Sequence, residues 1–220
     1  MNTNESNRRL LHRRWVYRTL REVWLVDGQT VEKHFTHHPG RRDWRPLWKR
    51  EHEALIRLEG LPVPRSLGWH HTITPEGPCF ILRKSYLPGD PLHQVTMKDA
   101  EDMGALLARF HQRLVVNNDP ALGNFVRAQD GTLACVDFGR SRTFRWPSGY
   151  YLFYVGKELS RLYRTSFQCR PDLWASFSAH YHAHNRLSVL GNALVRASFA
   201  YWNWRGLRHH PANTAWEQAR

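Results

Sequence analysis

The stretch Asn117-Asn118-Asp119-Pro120-Ala121-Leu122-Gly123-Asn124 and the downstream Asp137-Phe138-Gly139 decide how this sequence is interpreted. They form the patterns D-x-x-x-x-N and D-F-G, and the second pattern directly follows the apolar run Leu133-Ala134-Cys135-Val136. Phosphoryl transfer needs an acid that orients the attacking hydroxyl and hard oxygen ligands for Mg²⁺, and these two patterns contain both. They therefore predict Asp119 as the acid and Asn124 and Asp137 as metal ligands.

Two β-rich runs upstream flank Asp27-Gly28, a dipeptide that favours tight hairpin turns. In the second run, Val31 and Lys33 are two residues apart and therefore point to the same face of a strand. A lysine at this place could reach nucleotide phosphates while Val31 contacts the base, although an ordinary exposed strand lysine is the alternative. The runs predict an antiparallel hairpin that presents both residues to a nucleotide.

A helix is predicted from Trp44 to Glu59, before the helix-stopping Gly60 and Pro62. One face of this helix carries residues that are spaced three or four positions apart, namely Leu47, Glu51, Leu55 and Leu58. Because a buried unpaired charge is costly, Glu51 needs a cationic partner, and Lys33 is the natural one. Glu53 on another face competes with it, and a solvated helix surface is the alternative for either acid.

The remaining elements follow from short local patterns. Phe80-Ile81-Leu82 predicts a buried strand that ends near the hinge segment Tyr86-Leu87-Pro88-Gly89, and Met97 to His111 has helical spacing. Phe125-Val126-Arg127 and residues 133–136 predict strands joined by a turn at Asp130-Gly131, and residues 150–205 again have helical spacing. The order of these elements along the chain predicts an α+β protein with a β-rich part, a hinge and a mainly helical part.

The composition predicts a folded, basic protein. A chain of 220 residues that is 41% hydrophobic can bury the core of one domain or of two packed lobes. A formal charge of +13 predicts attraction to nucleotide, nucleic acid or anionic membrane without choosing among them. No apolar stretch is long enough to span a bilayer, no signal-peptide pattern is present, and the cysteines fit a reducing cytoplasm.

Together these patterns resemble the protein-kinase-like superfamily and, within it, the bacterial lipopolysaccharide-core kinases that phosphorylate Kdo or heptose. The resemblance covers most of residues 20–165 and extends beyond the two acidic patterns. It includes R-E-H-E-A-L-I-R-L-E-G-L-P-V-P-R (Arg50 to Arg65), Y-L-P-G-D-P-L (Tyr86 to Leu92) and K-E-L-S-R-L (Lys157 to Leu162). It implies a two-lobed kinase-like fold, with residues 1–87 as a small antiparallel β-rich lobe with one helix and residues 88–220 as a mainly helical lobe.

The resemblance implies an ATP- and Mg²⁺-dependent phosphotransferase. Lys33, held by Glu51, would contact the α- and β-phosphates, and Val31 and the hinge residue Tyr86 would line the nucleotide. Asn124 and Asp137 would bind Mg²⁺ while Asp119 orients the acceptor hydroxyl. The implied acceptor is a sugar hydroxyl of the lipopolysaccharide inner core, an anionic sugar-lipid at the cytoplasmic face of the inner membrane. Nucleic acid is not the expected partner.

Some features depart from the protein-kinase pattern and keep alternatives open. No G-x-G-x-x-G precedes Lys33, so Arg18 or Arg21 would have to help hold the phosphates. N-N-D replaces the usual H-R-D, no A-P-E follows D-F-G, and Glu158 stands where the sugar-kinase family more often has Asp. The alternatives are a small atypical Ser/Thr protein kinase and an inactive, nucleotide-binding scaffold.

Three further segments have more than one interpretation. The N-terminal arginines fit a solvated basic arm by default, and the arginines of residues 8–21 and 41–50 are expected to hold the protein to anionic lipid. Phe199 to His210 fits a helix that packs its tryptophans, a membrane-interface belt or a nucleic-acid platform. His180, His182 and His184 form H-x-H-x-H, but on a helix only the first and last share a face, which favours a surface or packing role over metal binding.

Overall fold

The computed structural model describes residues 7–16, 19–37 and 46–209, without the side chains of residues 207–209. The strands are β1 (Arg8–Val16), β2 (Thr19–Val26), β3 (Thr30–His37), β4 (Ser66–Thr74), β5 (Gly77–Ser85), β6 (Asp90–Pro91), β7 (Val115–Val116), β8 (Phe125–Arg127), β9 (Leu133–Cys135) and β10 (Arg142–Thr143). The α-helices are α1 (Leu47–Arg57), α2 (Met97–Gln112), α3 (Gly149–Leu162), α4 (Pro171–His184) and α5 (Val189–His209). The structure is therefore α+β, with an antiparallel sheet in the N-terminal part and helices in the C-terminal part, as predicted.

The chain forms two compact units. Unit 1 contains the described residues up to Asp90 together with Val126–Ser141, and unit 2 contains Pro91–Phe125 and the described residues from Arg142 onward. Unit 1 thus takes up the segment that carries D-F-G. The division into kinase-like lobes at residues 87 and 88 stays a prediction.

Unit 1 is built on a five-stranded antiparallel sheet in the order β1-β2-β3-β5-β4. The hairpin of β2 and β3 turns at Asp27 and Gly28, which have φ angles of 53° and 67°. Both central residues of a type I′ turn need such left-handed angles, and Gly adopts them without steric cost. The predicted hairpin is confirmed.

The N-terminal arginines differ from the prediction of a solvated arm. Residues 8–16 form the edge strand β1, which pairs with β2. The side chains from Arg8 to Trp15 are nevertheless exposed. Arg18 and residues 41–45, which the prediction also included, lie outside the described residues.

Helix α1 packs on the sheet through one face, and the helix predicted from Trp44 to Glu59 is confirmed over residues 47–57. Leu47 and Trp48 pack with Phe35 of β3 and Leu82 of β5 in a buried cluster. Phe80 stacks on Trp48 with ring centroids 4.7 Å apart. The close packing of these side chains fixes the face of α1 that meets the strands.

The predicted strands around Asp130-Gly131 are also confirmed. Strands β6, β8 and β9 form a small sheet in the order β6-β8-β9. The Asp130 side chain accepts a 2.8 Å hydrogen bond from the Thr132 backbone N–H, which stabilises the turn between β8 and β9. Strand β9 then leads directly into Asp137.

Unit 2 consists mainly of two helix pairs, α2 with α4 and α3 with α5. Helix α2 begins at a capping box formed by Thr96 and Asp99, and its predicted extent is confirmed. Helices α3 and α5 approach closely at Gly156, where a Cβ would lie 2.5 Å from the Cβ of Ser198. Glycine is therefore required for this close packing.

The aromatic segment that begins at Phe199 divides between the core and the surface of unit 2. Phe199 stacks on Trp174 with centroids 5.6 Å apart, and Trp202 lies 5.5 Å from Phe153. Tyr201 and Trp204 are exposed instead. None of the helices in the described ranges is both long enough and apolar enough to cross a membrane.

Candidate functional site

Three charged residues predicted from separate parts of the sequence meet in unit 1. The Lys33 ammonium on β3 donates to both carboxylate oxygens of Glu51 on α1, each at 2.9 Å. It donates a third hydrogen bond, also of 2.9 Å, to Asp137 Oδ1. A lysine ammonium has three N–H donors, so these bonds use all of them. The predicted pairing of Lys33 with Glu51 is confirmed, and Glu53 is exposed on α1.

A second lysine, Lys84 on β5, joins the same carboxylate and was missed from the sequence. Its ammonium donates to Glu51 Oε1 at 2.6 Å and to the Val136 carbonyl oxygen at 2.6 Å. Glu51 is 0% exposed and Lys84 only 3%. Lys33, Glu51, Lys84 and Asp137 are called the Glu51 cluster below. Its two acids and two lysines balance each other in charge.

The cluster shifts the proton affinities of its members in opposite directions. Burial would lower the pKa of Lys33, but the Asp137 and Glu51 carboxylates outweigh it and raise that pKa above its usual value. Burial would raise the pKa of Asp137, but Lys33, Lys84 and the Gly139 N–H hold it well below its usual range. Burial lowers the pKa of Lys84, and Glu51 offsets this only in part. At neutral pH, Lys33 is therefore a cation and Asp137 an anion.

Asp137 keeps one carboxylate oxygen available. Its Oδ1 accepts from Lys33 and from the Gly139 backbone N–H at 3.0 Å. Its Oδ2 has no hydrogen bond or ion pair with the described residues, and the side chain is 41% exposed. A free carboxylate oxygen is the ligand type that Mg²⁺ prefers. The donor chemistry of Asp137 thus fits a divalent metal.

The other residues predicted for the nucleotide lie near the cluster along the chain. Val31 is buried and lies on the same face of β3 as Lys33. Arg21 faces Phe35 across the β2–β3 pair and so shares that sheet face. Tyr86 directly follows β5, is partly buried and donates its backbone N–H to the Gln29 carbonyl at 2.7 Å. Their contacts with a nucleotide stay predictions.

The loop with the predicted acid lies in unit 2. Arg161 of α3 forms a 2.8 Å ion pair with Asp119 Oδ1 and donates to the Asn118 carbonyl at 3.2 Å. Asn124 closes the loop, because its Nδ2 donates to the Asp119 carbonyl at 2.9 Å. The Asn124 Oδ1 has no hydrogen bond to the described residues, which leaves a hard oxygen for a metal. Arg161 was not predicted as a functional residue.

Helix α3 also holds the start of this loop through Glu158. The buried Glu158 carboxylate accepts the Asn117 backbone N–H at 3.1 and 3.2 Å. It also lies 3.0 Å from His111 Nε2, while His111 Nδ1 lies 2.7 Å from the Tyr181 hydroxyl. Burial raises the pKa of Tyr181, so its hydroxyl remains protonated and can donate to Nδ1. Glu158 and Arg161 thus hold the two ends of residues 117–119. Between these ends, Asn118 has a left-handed φ of 61°.

Replacing Glu158 by Gln should destabilise unit 2. The amide keeps one acceptor but loses the charge-assisted bonds to two buried donors, so the free energy of unfolding should fall by about 1–3 kcal/mol. Urea denaturation of the variant and the wild type measures this change. Glu101→Gln, on the partly buried side of α2, is the control and should change stability far less.

A groove of about 450 Å³ lies on the opposite face of the unit 1 sheet. Glu32 occupies it and pairs with Arg8 at 2.6 Å, with Arg83 at 3.3 Å and with His34 at 3.2 Å. Burial lowers the pKa of His34, which favours its neutral form. The single Glu32 carboxylate therefore offsets one of the two arginine charges that it contacts.

The histidine pattern on α4 forms local backbone contacts. His180 Nδ1 lies 3.0 Å from the Ser176 carbonyl, and His184 Nδ1 lies 2.9 Å from the His180 carbonyl. Within the described part of the chain, no group of three or more His, Cys, Asp or Glu side chains is arranged to hold a metal ion.

Comparison of the sequence with protein-family models and with curated proteins finds no match.

Proposed function

We propose that this protein is an ATP-dependent phosphotransferase with a protein-kinase-like fold, and that its acceptor is a sugar hydroxyl of the lipopolysaccharide inner core. The observation that carries the proposal is the Lys33 ammonium, which bridges Glu51 and Asp137 at 2.9 Å. Protein kinases need a strand lysine that pairs with a helix glutamate and a D-F-G aspartate that holds Mg²⁺, and Lys33, Glu51 and Asp137 are the corresponding side chains here.

In this proposal Lys33 binds the α- and β-phosphates. A phosphate oxygen would replace one of its three present acceptors, and Glu51 would keep the ammonium in place. Because the carboxylates raise the pKa of Lys33, the side chain stays charged over the whole physiological range. Val31 and Tyr86 would line the nucleotide, and Arg21 would add positive charge on the same sheet face.

Asp137 and Asn124 each have an oxygen without a partner among the described residues, and each would serve as a Mg²⁺ ligand. The metal would neutralise negative charge on the phosphates that are being transferred. Asp137 stays ionised for this task because the lysines and the Gly139 N–H lower its pKa. The assignment of Asn124 rests on its place in the D-x-x-x-x-N pattern.

Asp119 would orient the acceptor hydroxyl and accept its proton. Arg161 and the Asn124 amide hold the carboxylate and the backbone of this residue, so it is positioned before the substrate binds. A chain with a formal charge of +13 would attract an anionic acceptor. The resemblance to the sugar kinases suggests that this acceptor is the lipopolysaccharide core at the cytoplasmic membrane face.

Replacing Lys33 by Ala or Asp137 by Ala should lower Mg·ATP affinity and turnover together. Each change removes a charged contact to the phosphates or to the metal that bridges them, so the affinity should fall by about 10–100-fold. Titration calorimetry with Mg·ATP and a phosphate-transfer assay measure the two effects. Asp137→Asn, which keeps the side-chain shape, should show the same Mg²⁺-dependent loss.

The surface ion pair of Lys98 and Asp102, 2.8 Å long, supplies matched controls in Lys98→Ala and Asp102→Ala. Both should keep wild-type ATP binding. A wild-type protein that binds no Mg·ATP would contradict the proposal and favour the scaffold alternative. Phosphate transfer to added protein but not to a lipopolysaccharide precursor would favour the atypical protein kinase. Mass spectrometry of lipopolysaccharide from cells with and without the protein should show a difference of one phosphate per core.

A further inference from the structure

Helix α5 has a second apolar face that unit 2 does not cover. One face is buried and includes Gly191, Val195 and Ser198. A different face carries Leu190, Leu194, Ala197, Tyr201 and Trp204, called the α5 stripe below. Their spacing alternates between four and three residues, which places them on one side of a helix.

The α5 stripe is long and exposed. Its four large side chains are between 42 and 71% exposed. From Leu190 to Trp204 a helix rises by about 20 Å. Single exposed apolar side chains are common, but a continuous row of this length marks a surface that contacts a partner.

The charges beside the stripe are all positive. Helix α5 contains no acidic residue; the exposed Arg205 borders the stripe, and the exposed Arg196 lies about 120° around the helix from the centre of the stripe. Beyond Arg205, Lys157 lies 4.7 Å from the Trp202 ring centroid, and Arg142 lies 4.4 Å from that of Tyr154. None of these cations has an ion pair with a carboxylate of the described residues. The partner of this surface should therefore be negatively charged.

These features select one class of partner. A second copy of α5 would bring positive side chains such as Arg205 against one another, with no acid on either helix. A nucleic acid would not use Leu190 and Leu194, because these side chains offer no planar surface for base stacking. An anionic bilayer fits both the apolar row and the positive charges beside it. Apolar side chains enter the interface of a bilayer, Tyr and Trp prefer the depth of the headgroups, and arginines bind the lipid phosphates.

We infer that the α5 stripe docks in the interface of an anionic lipid bilayer, with the helix lying along the membrane surface. Arg205, Lys157 and Arg142 face the headgroup phosphates. This attachment does not depend on phosphate transfer. It places the apolar membrane contact on unit 2, although β1 of unit 1 also exposes Leu10, Leu11 and Trp15 among its arginines.

Vesicle flotation tests the inference with the full chain. Binding should require phosphatidylglycerol in a phosphatidylcholine bilayer. Leu190→Gln combined with Leu194→Gln, and separately Trp204→Gln, should weaken this binding by about tenfold or more, because each apolar side chain loses its transfer from water. Ile73→Gln, which changes a 79% exposed side chain on β4, is the control and should bind like the wild type.

Two further experiments test the contribution of the arginines to binding and the depth of the α5 stripe in the bilayer. Arg205→Gln should weaken binding by about fivefold and reduce its salt dependence, and Arg196→Gln, which lies farther around the helix, should have a smaller effect. Lipids with brominated acyl chains should quench the fluorescence of the wild type more than that of Trp204→Phe. Urea denaturation checks that the exposed substitutions leave the fold intact.

Three results would overturn the inference. The first is wild-type vesicle binding in the stripe variants, together with its loss in Arg9→Gln combined with Arg14→Gln on β1. The second is self-association in sedimentation velocity that the stripe variants abolish without lipid. The third is binding to RNA, but not to vesicles, that Arg205→Gln removes.

Discussion

Replacement of Asp119 by Asn is expected to lower the rate of phosphate transfer by roughly 10²–10⁴-fold, the range for a positioned general base. Asn keeps the shape of the side chain but cannot accept the acceptor's proton. Mg·ATP binding should survive, because the Glu51 cluster is unchanged. This separates Asp119→Asn from Lys33→Ala and Asp137→Ala, which should weaken nucleotide binding as well. Single-turnover transfer and calorimetry on the same preparations give the comparison.

The ion pair of Arg170 and Asp172 provides a matched control for this experiment. It joins an Arg and an Asp in unit 2 at 3.0 Å, as Arg161 and Asp119 are joined at 2.8 Å. Asp172→Asn should leave transfer and ATP binding unchanged. Asp119→Asn loses a partly exposed ion pair, so its stability should change by about 1 kcal/mol or less, and the loss of the exposed pair in Asp172→Asn should leave the fold intact. Wild-type turnover in Asp119→Asn would remove the catalytic assignment.

The elements with strong local signals were predictable from the sequence. Asp27-Gly28 can adopt two successive left-handed residues, which fixed the hairpin of β2 and β3. The helices α1 and α2 each bury one face, and a buried face leaves a three- and four-residue repeat in the sequence. In these cases the local pattern and the packing agree.

The two strands of the main sheet that were not predicted are its edges. Strand β1 is exposed along nearly its whole length, and β4 is exposed at most positions. Neither therefore needs the alternation of apolar and polar residues by which a half-buried strand is recognised. The arginines of β1 suit such an edge, because charged side chains discourage pairing with other chains.

The Glu51 cluster was predictable only in part for a similar reason. The approach of Glu51 to Lys33 follows from a buried acid that needs a cation. Lys84 enters the cluster because β3 and β5 pair Val31 with Lys84, next to the pair of Lys33 with Leu82. Cross-strand register depends on tertiary packing and is not encoded within one strand. A lysine two residues after the buried Leu82 was the available signal. The catalytic and binding roles of these residues stay predictions.

Glu51→Gln should produce the largest loss of stability in unit 1. The substitution keeps the size of the side chain but removes the negative charge that pairs with Lys84, whose ammonium is then left with neutral acceptors such as the Val136 carbonyl. Removing one partner of a buried ion pair typically costs about 3–5 kcal/mol, because the remaining charge stays buried without compensation. Urea denaturation near neutral pH measures the change. Glu53→Gln, at an exposed position of the same helix, is the control and should cost less than about 0.5 kcal/mol.

The pH dependence of this loss shows whether the unpaired Lys84 charge causes it. Burial already lowers the pKa of Lys84 from 10.5, and without Glu51 the pKa should fall further. The unfolded chain then binds more protons than the folded chain between the folded pKa of Lys84 and 10.5, so stability rises with pH across this window. The deficit of Glu51→Gln should therefore be larger at neutral pH than near pH 10, and Lys84→Met in the Glu51→Gln background should remove that dependence. An equal deficit at both pH values, unchanged by Lys84→Met, would show that the destabilisation has another cause.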